Sequence, residues 1–512
     1  MVGGSMSGKG SDVTTGDLSG QTSGNGDSAG VRVAIVASKP GNAGGAKGGR
    51  KADASSDTRR EEPSPPVPSG DKQGEEDLWQ RCKAERGVWS EKMLAALERG
   101  VKGNKWFSLI DKVGSERTLG LAWEKVKTNA GGCGVDNTTV TRFAKDSQSR
   151  LLVVNERLMR GDYQPKPVKR VWIPKAGSRE KRPLGIPTVT DRVVQTALRM
   201  VIEPIFEKEF APHSCGFRPG RSCKDALRHV DKLLKEGRLH VVDVDLKGYF
   251  DSIPHDRLME LVREHIADGR VLKLIEAFLK QGVMEQIGEV EAAGEEGTPQ
   301  GAVISPMLAN IYLNPLDWMM VREGHQMDRY ADDMVILCET PEEAQQVMEK
   351  LKAWCETAGL TLHPEKTKIV DMGQPGAHFD YLGYRFLRSK RTGRLRRLIR
   401  PKSLKAIKAR IKPLTKRANG RSLEELITKL EPILRGVHGY FMHAMASQLK
   451  GLDGWVRARL RGILRKRHKG RGRGRGKDHI KWPNCYFERL GLFSLEQARR
   501  TVQASLREGV NC

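Results

Sequence analysis

Tyr330-Ala331-Asp332-Asp333 sets two adjacent carboxylates between the short segment Met327–Tyr330 and the apolar run Met334–Cys338. Asp favours turns while Val335, Ile336 and Leu337 favour strand, so the stretch predicts two short strands joined by a tight acidic turn. Mg²⁺ takes hard oxygen ligands and is usually held by one or two carboxylates plus substrate phosphates. A third carboxylate near such a turn would complete a two-metal phosphoryl-transfer site. Alone, an Asp-Asp hairpin is ordinarily a solvated turn and decides nothing.

A second segment supplies the partner. His240-Val241-Val242-Asp243-Val244-Asp245-Leu246 alternates, which places Val242, Val244 and Leu246 on one face of a strand and Asp243 and Asp245 on the other. An exposed edge strand carries acids too, as a guard against unwanted pairing. This one, however, runs directly into Lys247-Gly248-Tyr249-Phe250-Asp251, upstream of the acidic hairpin.

The succession Asp245-Leu246-Lys247-Gly248-Tyr249-Phe250-Asp251, Gly297-Thr298-Pro299-Gln300-Gly301 with Ser305-Pro306, and Tyr330-Ala331-Asp332-Asp333 resembles the palm of reverse transcriptases. Ile173-Pro174-Lys175 and Arg182-Pro183-Leu184-Gly185-Ile186-Pro187-Thr188, followed by Asp191-Arg192, resemble the fingers of the group II intron branch. Gly216-Phe217-Arg218-Pro219-Gly220-Arg221-Ser222, Leu360-Thr361-Leu362-His363-Pro364-Glu365-Lys366-Thr367-Lys368 and Tyr381-Leu382-Gly383-Tyr384 fit the same branch, and Gly134-Val135-Asp136 resembles its N-terminal extension. The resemblance runs from about residue 85 to 500.

It implies an α+β right-hand polymerase, with fingers and palm over 76–390 and an α-helical thumb, or maturase, domain over 391–465. A basic tail with a small nucleic-acid-binding module would follow over 466–512. Asp245, Asp332 and Asp333 would be the catalytic carboxylates, holding two Mg²⁺ ions or Mn²⁺ in their place. Asp243, outside the matched segment, is expected in a supporting or solvated position, and Asp251 in a structural one. Lys175 and Arg182 match the cations that bind the incoming triphosphate; the loop 176–181 runs about one residue long, so Arg179 and Lys181 are alternatives. Tyr249 resembles the aromatic gate against a 2′-hydroxyl, with Phe250 beside it at the nucleotide, and Gln300 resembles the residue next to that nucleotide.

Lys and Arg total 89 against 63 acids, a formal charge of +26, which implies a polyanionic partner; ribosomal or membrane-surface binding would give the same balance. Eight cysteines without a Cys-x-x-Cys pair argue for a reducing compartment and against a structural zinc site. No apolar stretch is long enough to span a bilayer. Residues 1–75 are rich in Gly, Ser and Asp and are read as a disordered extension, too acidic for a transit peptide, with Val31–Val36 its one strand-like run. Thr340-Pro341-Glu342-Glu343 predicts a helix start that turns Ala344, Val347, Leu351 and Trp354 to the core, and Ser422 with Glu425 predicts another. Between Asp453 and Asp478 lie eleven Lys or Arg and no acid. Arg457, Arg459, Arg461, Arg465, Arg471, Arg473 and Arg475 are therefore expected on nucleic acid, against the plainer reading of a solvated linker.

Arg435-Gly436, Gly439-Tyr440-Phe441 and Trp455–Arg461 resemble the maturase domain, and Phe487 through Leu495 the family's terminal module. The expected partners are a group II intron RNA, an RNA template with a DNA primer, target DNA and dNTP; the resemblance also allows a homodimer. The expected location is the bacterial cytoplasm, near the nucleoid, with no membrane partner. The Cys-rich endonuclease of some family members is not expected here, and insertion would then need another primer than a self-made nick. Two rivals stand beside this reading. One is a retron-like or defence-associated reverse transcriptase; the other is an RNA-binding splicing factor without polymerase activity, which would have no need of the carboxylates and finger cations together.

Overall fold

The fold is that of a computed structural model, which describes residues 84–174, 181–286, 289–292, 294–472 and 474–508. The expected extension, with its strand-like run Val31–Val36, lies outside the described residues. In chain order the strands are β1 Val168–Pro174, β2 Lys181–Ile186, β3 His240–Asp245, β4 Val283–Gln286, β5 Glu289–Glu291 and β6 Gln326–Tyr330. They continue with β7 Asp333–Cys338, β8 Lys368–Asp371, β9 His378–Tyr381, β10 Tyr384–Arg388 and β11 Leu395–Ile399.

Among the described residues these strands form three sheets. The fingers sheet has the order β2-β1-β4-β5, the palm sheet β6-β7-β3-β8, and a smaller sheet β11-β10-β9 leads to the thumb. In the palm every neighbouring pair is antiparallel, and the register sets Asp245 opposite Asp333. Alternation along the strands gives the palm two buried faces. Val242, Val244, Leu246, Met334, Ile336 and Cys338 join the core shared with the fingers helices, while Val241, Val335 and Leu337 join the core shared with the thumb.

The helix Val189–Glu209 is buried over most of its length, with Asp191 and Gln195 among its covered residues; Thr188 caps it by accepting a hydrogen bond from the Asp191 amide. Behind the acidic hairpin runs Pro341–Thr357, with Pro at its start and Thr340 Oγ1 accepting from the Glu343 amide at 3.1 Å. Ala344, Val347 and Leu351 are buried along it and Trp354 partly so. In the thumb, Ser422 caps Leu423–Phe441 through the Glu425 amide. That helix packs with Pro401–Leu414 and Ala446–Arg467 through Ile407, Ile411, Leu426, Leu430, Leu434, Leu449, Leu452, Val456 and Leu460.

The expected break between thumb and tail at 465/466 falls inside the continuous helix Ala446–Arg467. The C-terminal segment docks on that helix: Phe487 and Leu495 are fully buried in the thumb core, and Asp453 caps the last helix by accepting from the Leu495 and Glu496 amides, each at 3.0 Å. Among the described residues no helix is long and apolar enough to cross a membrane.

Candidate active site

The acidic turn between β6 and β7 has two loop residues, Ala331 and Asp332, and Ala331 takes a left-handed φ of +61°. Two-residue hairpins need such a conformation, which costs a residue with a Cβ, so the surroundings must impose it. Gly216 presses from one side: a Cβ there would lie 2.2 Å from the Ala331 nitrogen. From below, the fully buried Arg329 donates to the Ala331 carbonyl at 3.0 Å. Its guanidinium is held by both oxygens of Asp317 (2.7 and 2.5 Å), by Asn310 Oδ1 (2.9 Å) and by Ser214 Oγ (2.7 Å). Burial works against the Arg329 charge, but Asp317 outweighs it and the cation is held more firmly than usual.

Three carboxylates gather above this support. Asp245 and Asp333 are directly opposed across β3 and β7, an arrangement that destabilises a sheet when both carry charge and nothing bridges them. Burial pushes the Asp333 carboxyl up to about 7, the Leu382 amide at 3.4 Å pulling it down and Asp243 and Asp332 adding to the rise. Asp332 is raised as well, first by burial, with Arg182 opposing and Asp245 contributing. Partly buried carboxylates that repel one another form an oxygen donor set fitted to divalent cations, so these three residues suit the metal expected of them. Asp245 is ion-paired: Lys366 Nζ lies 3.1 and 3.3 Å from its oxygens. The backbone of Asp245 is pinned by Thr367 Oγ1 (3.3 Å) and by its carbonyl accepting from the His363 amide (2.8 Å). Asp243 is half-buried rather than solvated; it faces Lys368 across β8, and burial pushes it up to about 6 with Lys368 opposing.

Arg182, exposed on β2, is near enough for its charge to act on both Asp332 and Asp251. Lys175 and Arg179 lie outside the described residues. Gln300 is half-buried, and its side-chain amide donates to Asp251 at 3.1 and 3.3 Å while its backbone carbonyl accepts from the Gly185 amide at 2.7 Å, joining the palm loop to the fingers strand.

Tyr249 is not placed to act as a gate. Its ring is 2% exposed and its hydroxyl donates to the Ala309 carbonyl at 2.5 Å, inside the core. Gly248 turns the chain with a φ of +61° into a 3-10 turn over Tyr249–Asp251, which sends Tyr249 inward and leaves Phe250 half-exposed next to it.

The helical arginines of the thumb are also corrected. Arg457 and Arg461 are 8% and 3% exposed. Arg461 donates to the Trp482 carbonyl (2.8 Å) and Asn484 Oδ1 (2.7 Å), with its guanidinium over Phe487. Arg457 sits 4.0 Å from Glu488, and Arg459 donates to Thr415 Oγ1 and its carbonyl (2.5 and 2.9 Å). Arg465 binds Asp478 at 2.6 Å and the Arg471 carbonyl at 2.7 Å. These four fasten the C-terminal segment and the thumb helices to each other and leave little for a nucleic acid. Arg471 and Arg475 are exposed, and Arg473 lies outside the described residues.

Among the described residues the trio with ligand atoms all within 4.8 Å of one another is a different one, His213, His229 and Asp328, which has the composition of a metal site. The two imidazoles are stacked at 4.1 Å with planes 3° apart, and His229 Nδ1 is 2.6 Å from Asp328. A metal lies in the plane of each imidazole that binds it, and two parallel planes share no such point; the trio is a half-buried hydrogen-bonded stack on the buried Asp328. Sequence reasoning passed over Lys366, Arg329 and Asp317. The first stands in a quoted motif, and the second directly precedes the acidic turn.

Residues 173–386 match the family described as reverse transcriptase (RNA-dependent DNA polymerase), and residues 404–482 match the group II intron, maturase-specific domain. Protein YkfC of Escherichia coli K12 is 36% identical over 304 residues, 51% of this chain and 78% of YkfC. The chain belongs to the group II intron-encoded reverse transcriptases and maturases. The group II intron-encoded protein LtrA of Lactococcus lactis subsp. cremoris is 37% identical over 224 residues, 43% of this chain but only 36% of LtrA. A solved Cas6-RT-Cas1–Cas2 complex superposes with a TM-score of 0.32 at 22% identity, covering 49% of this chain and 41% of that one. As a reverse transcriptase the chain is an RNA-directed DNA polymerase that depends on divalent metal, with a maturase domain for intron RNA.

Proposed function

We propose that Asp245, Asp332 and Asp333 hold two Mg²⁺ ions for copying an intron RNA into DNA, and that the thumb binds the same RNA to assist its splicing. The observation that carries this is the cross-strand pair Asp245 and Asp333 beside Asp332, acids set together, with the charge of Asp332 and Asp333 poorly compensated. Bound there, the ions would stabilise charge on the attacking and leaving oxygens of an in-line displacement. The protein's own part is positional. Arg182, with Lys175, receives the triphosphate; Phe250 limits the space around the sugar; Gln300 and Asp251 fix the loop between fingers and palm. Lys366 neutralises Asp245 before substrate arrives and must yield it to a metal.

Lys402, Lys405, Arg410, Lys412 and Lys416 form an exposed basic surface on and just beyond the helix Pro401–Leu414, suited to an RNA or an RNA–DNA duplex, with Arg471 and Arg475 extending the charge. Target DNA would use the same cleft after splicing. A chain this basic belongs near nucleic acid, in the cytoplasm of a bacterial cell.

The test is Asp332→Ala assayed twice. Primer extension on an RNA template should fall by at least about a hundredfold, as expected for losing electrostatic stabilisation in the transition state, while splicing of the bound intron persists because the RNA supplies that chemistry. Extension near wild-type level removes the metal assignment; splicing lost with the fold intact removes the separation of the two roles.

A further inference from the structure

In the segment Gly216–Ser222 several groups are consumed internally. Gly216 makes room for the Ala331 backbone, and its carbonyl accepts from Asn310 at 2.7 Å. Arg218 is buried, forked onto Glu207 at 2.9 to 3.1 Å and bonded to the Ala211 and Ser214 carbonyls at 2.7 Å each. Ser222 and Asp225 close a capping box on the next helix. Arg221 is exposed, and so is Phe217, between two pinned neighbours. Phe217 holds a left-handed φ of +58° and is 44% exposed. A bulky aromatic residue in that conformation is strained, and such strain persists where the exposed group has work to do.

The Phe217 ring lies 6.3 Å from that of Tyr330, two residues before Asp332. Tyr330 packs against the core that the palm shares with the thumb, as does Tyr440 of the thumb helix, so the paired rings lie on the thumb-facing flank of the acidic turn. Arg182 acts on Asp332 from the fingers strand β2, and Gln300 is bonded to that strand, so both belong to the fingers side. In an in-line displacement the attacking and leaving oxygens stand on opposite sides of the phosphorus. With the β- and γ-phosphates, which leave as pyrophosphate, on the fingers cations, the primer hydroxyl must come from the thumb side, past Phe217 and Tyr330. An apolar ring offers nothing to a phosphate and takes the uncharged face of a nucleotide, base or sugar.

We propose that Phe217, together with Tyr330, is a platform that positions the 3′-terminal primer nucleotide; it rests on the reading of the acidic turn as the metal site. Phe217 is thus a positioning residue, and its strain makes the test selective. Phe217→Gly relieves the left-handed φ, so the melting temperature should hold or rise, whereas KM for primer–template in single-nucleotide extension should rise about tenfold, a single stacking contact's worth. KM for dNTP should stay put, and Phe217→Tyr should restore primer use. A primer ending in an abasic residue separates the two faces: a base contact makes the wild type as poor as the glycine variant on it, while a sugar contact preserves the difference. An unchanged primer KM in Phe217→Gly overturns the proposal, as does a fall in melting temperature that accounts for the lost activity. Asp332→Ala run alongside tests the underlying site, since extension surviving that change would fail the metal assignment and leave the platform without a reaction to serve.

Discussion

Tyr249 and Phe250 are adjacent rings with opposite surroundings, and which of them meets the nucleotide was not decidable from their order in the chain. Strand alternation holds through Leu246, and the acids it assigns to one face of β3 do share that face. Beyond it, Gly248 with φ +61° breaks the period, and a 3-10 turn leaves no two-residue rule to follow. The structure makes separate predictions for the two rings. Phe250→Ala opens space at the sugar and should admit ribonucleotides, raising the ratio of ribonucleotide to deoxyribonucleotide incorporation by about tenfold or more, the scale of one steric or packing contact. Tyr249→Phe should leave that ratio unchanged and lower stability by about 1 kcal/mol, the worth of one hydrogen bond to Ala309. Incorporation ratios and melting curves on both variants check this; a changed ratio in Tyr249→Phe would return the gate to the buried ring.

Elements with strong local signals were legible: the acidic hairpin, the capped helix behind it and the Ser422 cap all stand where propensity and capping chemistry set them. What local sequence could not show was where charged side chains of a helix point. Arg457 and Arg461 look solvated by residue type, yet with Leu460 and Leu464 they fall at spacings of three and four along the face that also carries Val456 and Ile463. That stripe was the available sign that they are covered. Contacts between distant segments were equally hidden, among them the stack formed by the helix Cys223–Lys235, the loop before it and β6. There His213 is pushed down to about 4, first by burial and then by His229, Arg221 and Lys232, while Asp328 binds the far His229. An unfolded His has a pKa near 6.5, so between that value and about 4 the unfolded chain binds more protons than the folded one. Stability carried by neutral His213 is therefore full above pH 6.5 and is lost as pH falls towards 4. In metal-free buffer, urea melts should show wild type losing on the order of 1 kcal/mol more than His213→Gln between pH 7.5 and pH 5, the figure being reduced for the partly exposed ring. Parallel stability–pH curves for the two proteins would contradict it.

At the scale of the whole molecule, the net charge foretold a nucleic-acid partner, but nothing in the sequence foretold that the palm sheet is a wall between two cores. β3 sends Val242 and Val244 to one side and Val241 to the other; β7 sends Met334 and Ile336 to the first and Val335 and Leu337 to the second. The thumb helices and the C-terminal Phe487 and Leu495 complete that second core, so the thumb cannot unfold without baring one face of the strands that carry the carboxylates. Burial of that kind couples elements into one cooperative unit. Leu430, fully buried in the middle of the thumb, is the place to test it. Leu430→Ala should cost about 2–5 kcal/mol through lost burial and the cavity left behind. If the coupling holds, native-state hydrogen exchange should record nearly the same loss at the slowest amides of the helix Leu423–Phe441 and at those of β3, some two hundred residues earlier in the chain. Thumb amides that open more easily while β3 keeps its wild-type protection would show that the thumb unfolds alone, and that the carboxylates of Asp245 and Asp333 stand on a palm held from one side only.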